Sequence, residues 1–450
     1  MLAVLSLGLL AFWGTGDLVS PAPGPDADPF AELALRLACG MLVDLAFVFV
    51  LGLSAGTIGI VVLGLAGVLR AGPRLVRLRR PRFGTVIAAA AGATVWALLA
   101  VHDFTEPLTD WDARSIWFFH ARLIWLDGGV RVASHWTDPS IAWSHPDYPK
   151  LLPVLAAQVC RALGFWNEVV PKGALALLAA APIASALSFS RSRLAFCVVL
   201  ATLFFTTGRT LSNGFADTYV GLYCALAFAQ LAMGLEAGTG NALSAVVFFG
   251  VAASLKNEGL VFALAGGVAA AVVALRDARG ARVLRAWAKT PRAWMVAAIA
   301  AAPLAIWRIE RARWGLQGYL NFGSAQTLER ARHRLADGVS LRHIFAALAN
   351  NEPALWKSAL VVALLLLWMA VRRLRIEPSD LLPLLAAPVA LACITAVYLA
   401  TPFDLEWQLR TSADRIVITV FLMLQVATAL LLRRMGAASE TGGAPHLSRD

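Results

Sequence analysis

The sequence predicts an all-α polytopic membrane protein of about twelve transmembrane helices, and four observations carry that expectation. Hydrophobic residues make up 59% of the 450 and charged residues only 15%, against about 25% charged in an ordinary soluble domain. The apolar residues fall in runs near the roughly 20 that one helix needs to cross about 30 Å of hydrocarbon. None of the short alternating segments of a membrane β-barrel is present. Arg-rich stretches recur between the runs in the alternation that orients helices in a bilayer.

Taken in order, the first span covers residues 1–19, and its lack of a basic leader and of a cleavage site predicts that it is retained. The Pro/Asp-rich SPAPGPDADP (20–29) reads as an outer loop, and a long second span (33–69) ends in RAGPRLVRLRRPR (70–82), the clearest cytoplasmic signal. Span 3 (85–101) opens onto a long outer segment, 102–168. Span 4 (169–189) returns to the basic RSR at 191–193, and span 5 (194–207) leads outward to a loop through Asp217. Span 6 (218–235) is followed by short spans 7 and 8, which flank KNEG (256–259). A basic inner stretch (276–292), span 9 (293–309) and a second outer segment (310–352) come next. Span 10 (354–371) ends at RRLR (372–375), and span 11 (381–400) opens onto the outer TPFDLEWQLRTSADR. Span 12 (416–432) ends at Arg433 and Arg434. This divides the chain into an N-terminal unit with a basic loop (1–83), a main transmembrane unit (84–432) and a polar, disordered cytoplasmic tail (433–450).

The net charge of +11 does not point to nucleic acid, because most basic residues lie in short loops where they set topology and meet lipid headgroups. Cys39, Cys160, Cys197, Cys224 and Cys393 have no paired or metal-ligand spacing and read as small buried hydrophobes.

The alternation assigns every unusual polar motif to the outer face. TDWDARSIWFFHAR (109–122) has the spacing of a capping box, Thr109 with Asp112. It also sets Asp110 and Asp112 beside Trp111 and Trp117, where partial desolvation makes a carboxylate a better base. HPDYP (145–149) is a rigid turn that presents His145 and Tyr148 as substrate-lining groups. Asp217 in NGFADTYVG stands where a helix dipole favours an acid, and Lys256 and Glu258 of KNEG suit an ion pair. Charges at membrane depth need partners and mark sites by default. Six arginines between 310 and 352, with Arg410 and Arg415 near the last span, run against the positive-inside trend and suit phosphate binding. Asp112 and Asp217 form no dense ligand set, so a metal or other cofactor is not indicated.

Carboxylates, aromatic surfaces and cations at a bilayer boundary suit transfer of a sugar from a lipid-phosphate donor. A cation stabilises the departing phosphate, and a carboxylate takes the acceptor's proton as the anomeric carbon becomes oxocarbenium-like.

Over 84–432, DWDARSIWFFHAR, HPDYP, Ala216–Asp217, SLKNEG and DLEWQLRTSADR follow one another in an order that resembles the GT-C polytopic glycosyltransferases, near the protein-mannosyltransferase and aminoarabinose-transferase families. The resemblance implies a polyprenyl-phosphate sugar donor, inverting transfer to a glycan, lipid or protein acceptor, and a first-loop Asp as base. That role falls on Asp112 or Asp110, with Asp217, Lys256, Glu258, Arg410, Arg415, His145 and Tyr148 binding substrate. It also implies the periplasmic face of a bacterial cytoplasmic membrane. A polytopic transporter or lipid flippase is the alternative; such proteins place charges near the bilayer midplane in broken, repeated helices, and KNEG is its best feature.

Overall fold

A computed structural model describes residues 1–20, 28–76, 83–131, 133–203, 208–237, 239–318, 320, 324–351 and 353–440. In chain order the helices are α1 (Leu2–Val19), α2 (Pro29–Leu51), α3 (Leu53–Val76), α4 (Phe83–Asp103), α5 (Phe118–Asp127), α6 (Ala133–Trp136) and α7 (Leu151–Leu163). They continue as α8 (Gly173–Leu187), α9 (Arg193–Ala201), α10 (Gly208–Leu211), α11 (Ala216–Ala237), α12 (Thr239–Leu255), α13 (Asn257–Arg276) and α14 (Ala278–Ala288). The last six are α15 (Pro291–Arg313), α16 (Ala325–Ala336), α17 (Val339–Asn351), α18 (Pro353–Val371), α19 (Leu382–Ala400) and α20 (Leu405–Glu440). Eleven of the described segments are long and apolar enough to cross a membrane: α1 to α4, Val170–Leu187, α11, α13, α15, α18, α19 and α20. The chain is an all-α, multi-pass membrane protein.

Contacts between helix ends define two ends of the bundle. At the basic end, Arg434 bridges Glu236 and Asp380 at 2.8 and 3.0 Å, tying the ends of α11 and α20 to the start of the α19 span. At the other end, Leu53 N–H bonds Gly128 O (2.7 Å), Lys172 reaches Glu106 O (3.1 Å) and Lys256 meets Asp217.

Four expectations change. The long second span is two antiparallel helices, α2 and α3, broken at Gly52 (φ +82°). A glycine takes that backbone without a Cβ penalty, and a continuous apolar run hides the break from a hydropathy reading. The extra crossing moves the ends of the 20–29 loop to the basic end, where Phe30 packs with Ala88 and Leu187; residues 21–27 themselves lie outside the described residues, as do 77–82 of the basic loop. The 102–168 segment is not all peripheral: α7 is buried and packs against α3, α5 and α8. The stretch before the last span is helix, because α20 begins at Leu405 and runs 36 residues, about 54 Å at 1.5 Å per residue. The same helix continues through 433–440; 441–450 lie outside the described residues.

Lipid tails are as apolar as leucine, so helices in a bilayer associate through close packing and hydrogen bonds. Gly14 on α1 presses backbone to backbone against Gly64 and Gly67 on α3. Gln425 on α20 donates to Ser358 of α18 (2.6 Å) and accepts from Thr202 beside α9 (3.3 Å). Gln158 on α7 donates to Asp44 of α2 (2.8 Å) and Thr57 of α3 (3.1 Å). These ties join α1 to α3, α20 to α18, and α7 to α2 and α3.

Candidate functional site

Asp112 enters the site through a local irregularity. Helix starts at Trp111 and passes at once through a π-helical turn, Ala113–Trp117, before α5. Such wide turns are rare and gather at functional positions. The Asp112 carboxylate makes its hydrogen bond across the bundle, to Arg415 Nη1 at 2.5 Å, rather than to the start of its own helix as a capping box requires. Arg415 is fixed from two sides. Its Nη2 donates to Thr411 O one turn earlier on α20 (2.9 Å), and its guanidinium lies 4.5 Å from the ring centroid of Phe215.

Asp217 is buried in the first turn of α11, where the dipole favours an acid. Lys256 Nζ sits 2.7 Å from Asp217 Oδ1 and 3.2 Å from Glu258 Oε1. Lys256 occupies extended backbone between α12 and α13, so the two helices need not be continuous and its side chain turns into the cluster. Burial alone would lower the affinity of Lys256 for its proton; Asp217 and Glu258 outweigh burial and hold it above its usual range. Arg415 also acts on Asp217 electrostatically, so the acid lies between two cations. The cluster sets three carboxylates against two cations.

An aromatic wall closes one side. Tyr148 stacks on Trp117 (centroids 5.5 Å, planes 21° apart) and on His145 (4.9 Å, 13°), and the Lys256 ammonium lies 6.0 Å from the Tyr148 centroid. His145 has a left-handed backbone, φ +55°, a costly conformation for a residue with a Cβ and one that concentrates at functional sites. Burial lowers its pKa against the opposing charges of Asp147, Asp112 and Glu258, which favours the neutral imidazole.

The fold therefore brings together Asp112, Asp217, Lys256, Glu258, Arg415, His145 and Tyr148, from five separated stretches of sequence. Two expected residues stand apart. Asp110 gives its carbonyl to Arg114 N–H, and its charge acts on Lys172. Arg410 is exposed; five residues before Arg415 on one helix, it points about 140° away. Part of the 310–352 arginine group is structural: Arg330 donates to Ala400 O (2.9 Å), and Arg334 to Tyr398 O, Thr401 O and Phe403 O (2.9–3.0 Å). They satisfy carbonyls that the end of α19 leaves open, which docks α16 there.

The sequence reading missed Phe215 beneath Arg415 and the tie between Asp147 and α15. Asp147 is buried; its Oδ2 lies 3.4 Å from Asn257 Nδ2 and 3.8 Å from Arg311 Nη2, and its carbonyl accepts from Trp307 Nε1 (3.2 Å). The signal was available in HPDYP, since an acid in a proline-bounded turn next to an apolar run needs a partner. Among the described residues no three His, Cys, Asp or Glu side chains converge as metal ligands do.

No family model, no curated protein and no solved structure matches the chain. The class rests on the fold and the site: a multi-pass all-α membrane protein with an alternating carboxylate and cation cluster, walled by aromatic rings, at one end of its bundle.

Proposed function

We propose that this end of the bundle transfers a sugar from a polyprenyl-phosphate donor to an acceptor hydroxyl, by inversion, at the outer face of the cytoplasmic membrane of a bacterium. The carrying observation is the order Asp112, Arg415, Asp217, Lys256, Glu258, in which each charge neighbours its opposite. Lys256 and Arg415 flank Asp217, and together they suit a phosphate whose lipid tail stays in the bilayer. The side chain of Asp112 is 30% exposed, which leaves it open to an acceptor. The acceptor oxygen bonds the anomeric carbon, the bond from that carbon to the phosphate oxygen breaks, and the electron pair leaves as polyprenyl phosphate. The acceptor's proton passes to Asp112, while Arg415 and Lys256 neutralise the departing phosphate. Tyr148 and His145 offer flat faces to a sugar ring. Basic loops at the opposite end support the orientation, and the gathering of charge at one end favours an interfacial reaction over midplane transport.

The test supplies labelled polyprenyl-phosphate sugars to membranes that contain the wild type or Asp112→Asn and follows label into acceptors. Transfer by the wild type, lost in a variant that expresses and folds equally, is expected. Equal transfer by both removes Asp112 from the mechanism. Absence of transfer by folded wild type across hexosyl and pentosyl donors overturns the reading.

A further inference from the structure

Lys150 is a charged side chain wholly enclosed in the protein, and the reaction above makes no use of it. It follows HPDYP and opens α7. Its Nζ lies 2.9 Å from Pro146 O, 3.2 Å from His120 Nδ1, and 4.2 and 4.6 Å from the ring centroids of Trp136 and Trp307. His120 is equally buried, with Nε2 3.1 Å from Ser144 Oγ, and Ser144 Oγ donates to Ile141 O at 2.7 Å.

With Lys150 charged, these distances admit one hydrogen-bond chain. A lysine ammonium only donates, so His120 Nδ1 accepts and Nε2 carries the ring proton. Nε2–H then donates to Ser144 Oγ, and the hydroxyl hydrogen goes to Ile141 O. Burial lowers the proton affinity of both Lys150 and His120, with Asp147 opposing that effect at Lys150. A neutral amine retains two N–H groups for the same two acceptors, so the chain survives loss of the charge. Rings cover Lys150 on two sides, and its hydrogen bonds run to the turn and to the helix behind it.

We propose that Lys150 is a positioning residue: through Pro146 O and the His120–Ser144 chain it fixes the 145–149 turn, which aims Tyr148 and His145 at Lys256. This rests on the reading of that cluster as the working site. The left-handed His145 needs such restraint, because a strained residue persists only where its surroundings over-determine it. Trp307 holds the same turn through Asp147 O from α15, and Lys150 supplies a second anchor at Pro146 O.

The test compares full-length wild type, Lys150→Met, Ser144→Ala and the double variant in detergent, by amide hydrogen exchange and by the transfer assay. Methionine keeps the length and the contact with both indoles but cannot donate. Expected is exchange faster by roughly tenfold or more at the His145 and Tyr148 amides, which bond Ala142 O and His145 O, with α11 and α20 unchanged. The double variant should exchange no faster than Lys150→Met alone, because the two substitutions break one chain. Transfer should fall mainly through a higher KM for the donor. Unchanged exchange at Tyr148, or acceleration spread evenly over the bundle, overturns the positioning role. Faster local exchange with normal transfer overturns its link to the site. If folded wild type transfers nothing, the glycosyltransferase reading fails, and exchange alone decides whether Lys150 holds the turn.

Discussion

Replacing Lys256 by Met deletes the cation that Asp217 meets at 2.7 Å and leaves its own volume nearly unchanged. Two unit charges at that distance attract by about 6 kcal/mol at an effective dielectric constant of about 20. Desolvation of the two ions offsets much of this, so the pair itself adds little net stability. The asymmetry lies in breaking it: the Asp217 side chain is only 9% exposed, and a buried ion stripped of its partner costs about 3–5 kcal/mol. Arg415 still acts on Asp217, which puts Lys256→Met at the lower bound, about 3 kcal/mol. Glu258 also loses a partner, but its side chain is 29% exposed and water replaces the lysine there. Adding Asp217→Asn removes the stranded charge, and the double variant should return to within about 1 kcal/mol of wild type. Unfolding of full-length protein in detergent at pH 7 measures all three. A Lys256→Met variant within about 0.5 kcal/mol of wild type, or a double variant no more stable than the single, refutes the coupling.

Arg334→Ala should free the end of α19 and its hold on α16 at a cost of roughly 1–3 kcal/mol, and proteolysis should then cut between α15 and α16 faster than in wild type. Ala in place of Gly14 or Gly67 should destabilise the α1–α3 crossing by about 2 kcal/mol or more, since a Cβ there meets backbone of the opposite helix; equal thermal stability of the variants contradicts the packing. His120 and His145 are both held below the ordinary imidazole pKa of 6.5, first by burial. The unfolded chain therefore takes up protons that the native one resists, and stability should fall as pH drops from about 6.5 to 5, at up to about 1.4 kcal/mol per pH unit for each histidine. His145→Gln should flatten that slope in unfolding measured between pH 7 and 5.

The membrane class, most of the crossings and seven members of the cluster were legible in the sequence. Apolar run length is a local property, and charge inside an apolar run is conspicuous because each such residue needs a partner. Gly52 shows the limit of that reading: one glycine between two apolar segments turns one long span into two, and nothing in hydropathy marks it. Arg330 and Arg334 show another, because an arginine that caps carbonyls and one that awaits a phosphate are alike in sequence.

Pairings were decided only by the tertiary structure. Asp112 and Arg415 are 303 positions apart, and nothing local to TDWD or TSADR says that they meet. The choice of Arg415 over Arg410 depends on helical phase, set once α20 begins at Leu405. The role of Lys150 depends on which rings and carbonyls close around it. Local pattern fixes which segments enter the bilayer, because transfer from water is summed residue by residue along the chain. Partners follow from packing between distant helices, where close contact and satisfied hydrogen bonds select one arrangement among the many that the same hydropathy allows.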